Sequence, residues 1–166
     1  MLIVSDTTPI ISLMKIGQLE LLKRIFGAVV IPEAVHDELV RNSSYVDEAA
    51  LIAKCGFLEV RHVAERRTVA ELLRKERLDE GESEAIILAK EHNADVLLMD
   101  EKRGRRVAKK FNIKITGTVG VLLYAYDEGL LSGDEVTKCM ECLLENNIRM
   151  SKSLHMAVKN HLNKGR

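Results

Sequence analysis

Leu2-Ile3-Val4-Ser5-Asp6-Thr7-Thr8-Pro9 is the stretch on which the fold turns. Three apolar residues run into an aspartate, two threonines and a proline. The apolar run reads as a short buried strand. Pro9, with its fixed φ, suits the first turn of a helix. Asp6 then stands at the carboxyl end of a strand, where open α/β sheets bind their ligands. It also stands beside a helix N-terminus, so capping that helix is the competing reading.

The same alternation continues along the chain. Ile10 to Ile16 and Leu19 to Phe26 are helical, and Ala28 to Ile31 is a buried strand. Pro32 opens a helix through about Arg41, Asn42-Ser43-Ser44 is a loop, and a helix begins near Asp47 and runs to Lys54. Phe57 to Val63 is a third strand. Glu65 to Arg77 is either a short helix or an exposed arm. Glu82 to His92 is a helix, Asp95 to Met99 a fourth strand, and Lys102 to Phe111 a basic helix. Ile113 to Thr116 is a fifth strand, followed by a helix from Gly117-Thr118 to about Glu128. Ser132-x-x-Glu135 is a capping box that opens another helix, and a last helix spans about Lys152 to Leu162. Strands that alternate with helices predict a parallel sheet covered on both faces. The absence of repeats and linkers in 166 residues predicts a single domain over 1–166, with a core of about 1–128 and a helical extension of about 130–166.

Charge is high but balanced, 25 basic against 25 acidic residues, so any nucleic-acid surface has to be local. No apolar run reaches the length of a membrane span. No basic, cleavable start precedes the first strand, so no signal peptide is expected. The three cysteines fit reduced thiols in the cytoplasm. Cys139-x-x-Cys142 has no second pair and lies in a helical pattern, so packing is its expected role.

Two glutamates interrupt apolar helix faces. Counting from Ile31, the set Ile31, Ala34, Val35, Glu38, Leu39 puts Glu38 on a buried stripe. Glu82 heads the stripe Ala85, Ile86, Ala89, although Asp79-x-x-Glu82 also resembles a capping box. Asp100, like Asp6, follows a buried strand, and a surface-loop aspartate is the alternative for it. Four carboxylates in one pocket would raise each other's pKa values, and a hard divalent cation relieves this. Mg²⁺ or Mn²⁺ with such ligands suits phosphodiester hydrolysis.

With these residues in hand, the sequence resembles the PIN-domain nucleases, including the VapC-like ribonuclease toxins of toxin–antitoxin pairs. Val4-Ser5-Asp6-Thr7-Thr8-Pro9 resembles the family's first acidic motif, with Thr8 as its hydroxyl residue. Val35-His36-Asp37-Glu38-Leu39 resembles the second. Leu78-Asp79-Glu80-Gly81-Glu82-Ser83-Glu84-Ala85-Ile86 resembles the L-x-x-G-E-x-E-A-I pattern of one PIN subfamily, and Asn93 to Asp100 through Gly117-Thr118 supplies the fourth acid. The resemblance covers roughly residues 1 to 128. It implies a three-layer α/β fold around a central parallel sheet of about five strands. It further implies that Asp6, Glu38, Glu82 and Asp100 are the metal-binding and catalytic acids, with Glu84 competing with Glu82 for the third place. The implied activity is Mg²⁺- or Mn²⁺-dependent cleavage of single-stranded RNA. The implied partners are RNA, a small antitoxin protein and a second copy of the chain in a homodimer. A PIN fold serving only as an RNA- or protein-binding module is the alternative.

Lys102, Arg103, Arg105 and Arg106 crowd the helix beside Asp100 and could hold a phosphate backbone there with Thr8; an ordinary solvated face is the competing reading. Three tyrosines, three phenylalanines and no tryptophan leave no base-stacking platform. No G-x-G-x-x-G, P-loop, G-x-S-x-G or H-E-x-x-H is present.

Overall fold

The protein's computed structural model describes residues 1–41 and 46–164. Strand β1 (Ile3–Ser5) leads to α1 (Thr7–Lys15) and α2 (Glu20–Phe26), then to β2 (Val29–Pro32). Helices α3 (Glu33–Arg41) and α4 (Val46–Lys54) precede β3 (Leu58–Arg61). Next come α5 (Arg66–Glu76), α6 (Glu80–Glu91), β4 (Val96–Leu98), α7 (Lys102–Lys110) and β5 (Ile115–Thr116). The chain finishes with α8 (Thr118–Asp127), α9 (Gly133–Glu145) and α10 (Lys152–Lys164). The expected loop at Asn42-Ser43-Ser44 lies outside the described residues.

All five strands are parallel, in the order β3-β2-β1-β4-β5. The sheet is sandwiched as expected, because successive strand side chains point to opposite faces and both faces are buried. Ile3, Val29, Ile31 and Leu98 pack on one side with α1, α2, α8 and α9. Val4, Val30, Leu97 and Met99 pack on the other with α5, α6 and α7. Fully buried residues such as Ile3 and Leu98 each contribute about 2 kcal/mol of transfer free energy. Val136, Met140 and Leu143 of α9 and Val158 of α10 join the first of these cores, so the C-terminal helices pack on the sheet's own interior. Among the described residues no helix is long and apolar enough to cross a membrane.

Several boundaries differ from those read in the sequence. Helix α1 starts at Thr7, two residues before Pro9, which still falls in the first turn where the missing N–H costs nothing. Pro32 closes β2 instead of opening α3, at a strand end where little of the ladder remains to be lost. Residues 66–76 form a true helix, with Val69 and Leu72 buried. Helix α6 starts at Glu80, with Asp79 as its N-cap.

This topology sets up a candidate site. The chain builds outward from β1 through β2 to β3, then returns to lay β4 on β1's other side. The strand order therefore reverses between β1 and β4, and Asp6 and Asp100 follow these two strands. Ser5 pairs with Leu98, and the Asp6 N–H donates to the Leu98 carbonyl at 3.0 Å.

Candidate active site

Asp6 is the N-cap residue of α1, but its side chain makes no capping bond. It is 3% exposed. Burial pushes its carboxyl up to about 7, and the nearby charges of Asp79, Glu82 and Glu38 push in the same direction, against the Thr7 backbone amide. Asp6 is thus a buried acid that feels three other carboxylates, carried in by α3 and α6.

Glu38 comes from α3. It is exposed, whereas the sequence stripe predicted burial. Val35 and Leu39 dip into the core, and Glu38 sits about 60° round the helix from Val35, at the rim above the sheet edge. The Thr7 hydroxyl donates to Glu38 Oε2 at 2.7 Å. Of the two threonines after Asp6, Thr7 is the one whose hydroxyl bonds an acid, while Thr8 lines the groove beside Asp79 and Glu82.

Glu82 is 7% exposed. Its backbone N–H donates to Asp79 Oδ1 at 2.7 Å, and its Oε2 accepts the Asp79 N–H at 3.0 Å. The capping box read in the sequence is real, and it holds Glu82 in the acid cluster. Burial raises the Glu82 carboxyl above its ordinary value, as do Asp79 and Glu101, while the Asp79 backbone amide and Arg103 lower it. Asp79 itself belongs to the cluster. A Cβ on Gly81 would lie 3.4 Å from Glu38 Oε2 and 3.5 Å from Asp79 Oδ1, so both carboxylates border one small space. Sequence reasoning treated Asp79 only as a cap. A cap at the sheet's carboxyl edge was the available clue that it also faces the site.

Glu84 is buried, at 3% exposure, and is fully occupied. Its Oε2 accepts the Ala34 N–H in the first turn of α3 at 3.0 Å, and its Oε1 accepts from Arg66 of α5. It joins three helices, and although it lines the same groove as Glu38 and Asp79, both its oxygens are engaged. The sequence could not separate Glu82 from Glu84 because α6 is buried on every side from Gly81 to Ala89.

Asp100 takes the Thr118 N–H at 2.8 Å and the Thr118 hydroxyl at 2.6 Å. It therefore caps α8 from another element. Gly117 makes room, since a Cβ there would collide with Asp100 Oδ1. Arg105 turns inward and donates to the Met99 carbonyl at 2.8 Å, bracing the turn that carries Asp100. Its guanidinium is spent on the backbone and does not join the groove lined by Thr8, Lys102, Arg103 and Arg106.

Two grooves share Asp79, one lined by Glu82 and the other by Glu38, while Asp6 and Asp100 line neither. One, of about 780 Å³, runs between the α5–α6 turn and α7, and includes Thr8, Glu82, Arg77, Lys102, Arg103 and Arg106. The other, of about 630 Å³, runs between α3 and the α6 N-terminus. It holds six carboxylates against two arginines and His62.

The donor set is all oxygen, which suits a hard cation such as Mg²⁺ or Mn²⁺, and among the described residues Asp6 has no cationic partner to offset the carboxylates that raise its pKa. Among the described residues, however, no three His, Cys, Asp or Glu side chains are grouped to hold a metal ion. Glu82 is clasped to Asp79, Glu38 to Thr7 and Asp100 to Thr118.

A family model described as a PIN domain matches residues 2–164. Neither the curated proteins nor the solved structures gave a match.

Proposed function

The chain belongs to the PIN-domain family, whose members are generally nucleases, and from that membership we propose that it is a metal-dependent endoribonuclease acting on single-stranded RNA. The observation that carries this reading is the buried Asp6 carboxyl, raised to about 7 in the company of Asp79, Glu82 and Glu38. Strongly perturbed acids at the reversal point of a parallel sheet mark functional sites.

Asp6, Glu38, Glu82 and Asp100 would hold Mg²⁺ or Mn²⁺, which supplies an activated water and neutralises charge on the leaving oxygen. The chain's own residues do the rest. Thr7 orients Glu38 through its hydroxyl. The Asp79 backbone fixes one oxygen of Glu82. Thr118 and the Arg105-braced turn fix Asp100. Without metal the buried Asp6 holds a proton near neutral pH, which a bound cation would displace. Arg77, Lys102, Arg103 and Arg106 line the groove that would receive the phosphate backbone.

The toxin role, with a small antitoxin partner and a cytoplasmic location, is part of the same proposal. So is a homodimer. The groove between α9 and α10, lined by Met140, Leu144, Met156 and Leu162, has Met156 65% exposed and supports a protein contact there. Light scattering giving a monomer mass at working concentration would remove the homodimer.

One observation favours the second reading, a PIN fold that binds RNA or protein without cutting. Each of Glu38, Glu82 and Asp100 already has a partner within the chain, and no ready-made ligand triad is present among the described residues. Titration with Mn²⁺ by calorimetry, alongside cleavage of an end-labelled single-stranded RNA, separates the two. The nuclease reading expects Mn²⁺ binding and cleavage that are both lost in Asp6→Asn. Cleavage at the wild-type rate in chelator, or RNA binding without cleavage at any metal concentration, would defeat it.

A further inference from the structure

We propose that the protein grips a nucleic-acid single strand on one side of the scissile bond only. The proposal rests on the reading of this edge as a nuclease site, and it comes from the unequal charge of the two grooves that meet at Asp79.

On the α7 side, four cations, Arg77, Lys102, Arg103 and Arg106, face the groove against three carboxylates, Asp79, Glu82 and Glu101, whereas the α3 side has six carboxylates against two arginines and His62. Among the described residues no hydrogen bond or ion pair holds the side chains of Arg77, Lys102 or Arg106, and Arg106 only feels Glu76 nearby, so these charges remain largely available to the groove. Arg77 is placed for this by its backbone. It sits in the left-handed region at φ 54, ending α5, and its carbonyl accepts from Arg103 Nη1 at 3.0 Å. That bond ties the α5–α6 turn to α7, so the two walls of the groove are fastened together.

On the α3 side the cations are consumed. Arg41 pairs with Asp37 at 3.0 Å, His62 meets Glu33 at 2.8 Å, and Arg66 is held by Glu84 and Glu80. Glu38 and Asp79 are left over. A phosphate in this groove would have several carboxylates within the Debye length, which is about 8 Å at physiological salt. The backbone of a bound strand is drawn to the α7 side and repelled from the α3 side. Nucleotides on the acidic side therefore add no affinity. A bond near a strand end is as good a target as one in the middle, provided the long arm lies in the basic groove.

Binding of fluorescent oligoribonucleotides of 3 to 12 residues, measured by anisotropy in chelator, tests this without requiring turnover. In the wild-type protein, affinity per binding register should stop rising at about four nucleotides, with a salt slope of about −3 for four neutralised phosphates. In Glu33→Lys/Asp37→Lys, groove-lining positions outside the acid cluster, the rise should continue to longer strands. Arg106→Glu should weaken every length and flatten the slope by about 0.7. Wild-type affinity that keeps climbing through 8 to 12 nucleotides would overturn the proposal, as would a plateau that the double variant leaves in place. One-sided binding with no cleavage in Mn²⁺ would keep the proposal and remove the nuclease reading. Failure to bind at any length would overturn the proposal and leave the nuclease reading to the cleavage assay.

Discussion

Thr118 is capped by a carboxylate from another element: Asp100 receives both its backbone N–H, at 2.8 Å, and its hydroxyl, at 2.6 Å. Asp100 thus fastens the start of α8 to the end of β4. The same carboxylate is expected to ligate metal, so its structural and chemical roles overlap and have to be separated by paired variants.

Asp100→Asn retains an oxygen for the Thr118 N–H but loses the charge. It should abolish metal-dependent cleavage and cost about 1 kcal/mol in chelator, roughly 2–4 °C of melting temperature at this size. Thr118→Val removes only the hydroxyl bond, and should show the stability loss while keeping most of the activity. Thermal melts and an RNA cleavage assay on both variants check this. An Asp100→Asn protein that cuts RNA like the wild type would place Asp100 outside the chemistry.

Asp6 gives the apo-protein a pH dependence. Its folded-state carboxyl sits at about 7, above the ordinary 3.8, so the folded chain keeps a proton that the unfolded chain releases. This contribution to stability is complete below about pH 4 and is lost as pH rises to about 7, at up to about 1.4 kcal/mol per pH unit. In chelator, Asp6→Asn should flatten that loss and be the more stable protein at pH 8. Urea titrations from pH 4.5 to 8 that run parallel for the two proteins would show that Asp6 is not buried as an acid.

A cation changes the sign of that experiment. Mg²⁺ or Mn²⁺ that binds only the folded chain should raise the wild-type melting temperature, by about 2.7 kcal/mol of stability at a hundredfold excess over Kd. The rise should shrink below pH 7, where protons compete for Asp6. A cation-induced shift of equal size in Asp6→Asn would argue for binding elsewhere.

Glu82 and Glu84, two residues apart, should fail differently. Glu84→Ala leaves the Ala34 N–H and Arg66 without their acceptor and should cost about 2 kcal/mol, discounted because Arg66 is half exposed. Glu82→Gln keeps the shape of the cap and should lose activity with little change in stability. Urea denaturation beside the cleavage assay distinguishes them; the reverse pattern would exchange their roles.

The fold was legible because each strand is a short apolar run buried on both faces, as in Ala28 to Ile31, and each is followed by a helix with its own periodicity. The acids were harder. Periodicity put Glu38 on the buried stripe, yet it is exposed, since one step round α3 separates core from rim. It gave no choice between Glu82 and Glu84 either, because a helix buried all round has no polar face to exclude. Thr7 reaches the site through a hydrogen bond to Glu38, a neighbour only in space, which residue spacing does not encode; the Asp79–Glu82 bond was legible as a capping box, but not that it faces the site. Arg105 looked like its basic neighbours, and only the position of the Met99 carbonyl sets it apart.

The adjacency of β1 and β4 also has a consequence in time. Ile3 pairs with Val96, so the innermost strand waits for a neighbour made only after six helices have been synthesised. Such long-range pairing is slow to form. A chain growing from its N-terminus carries Asp6 and Glu38 through most of translation without Asp100, and Asp100 in turn has no clasp until Thr118 has emerged. A site that needs all four acids clasped as they are here is complete only once synthesis has passed the start of α8.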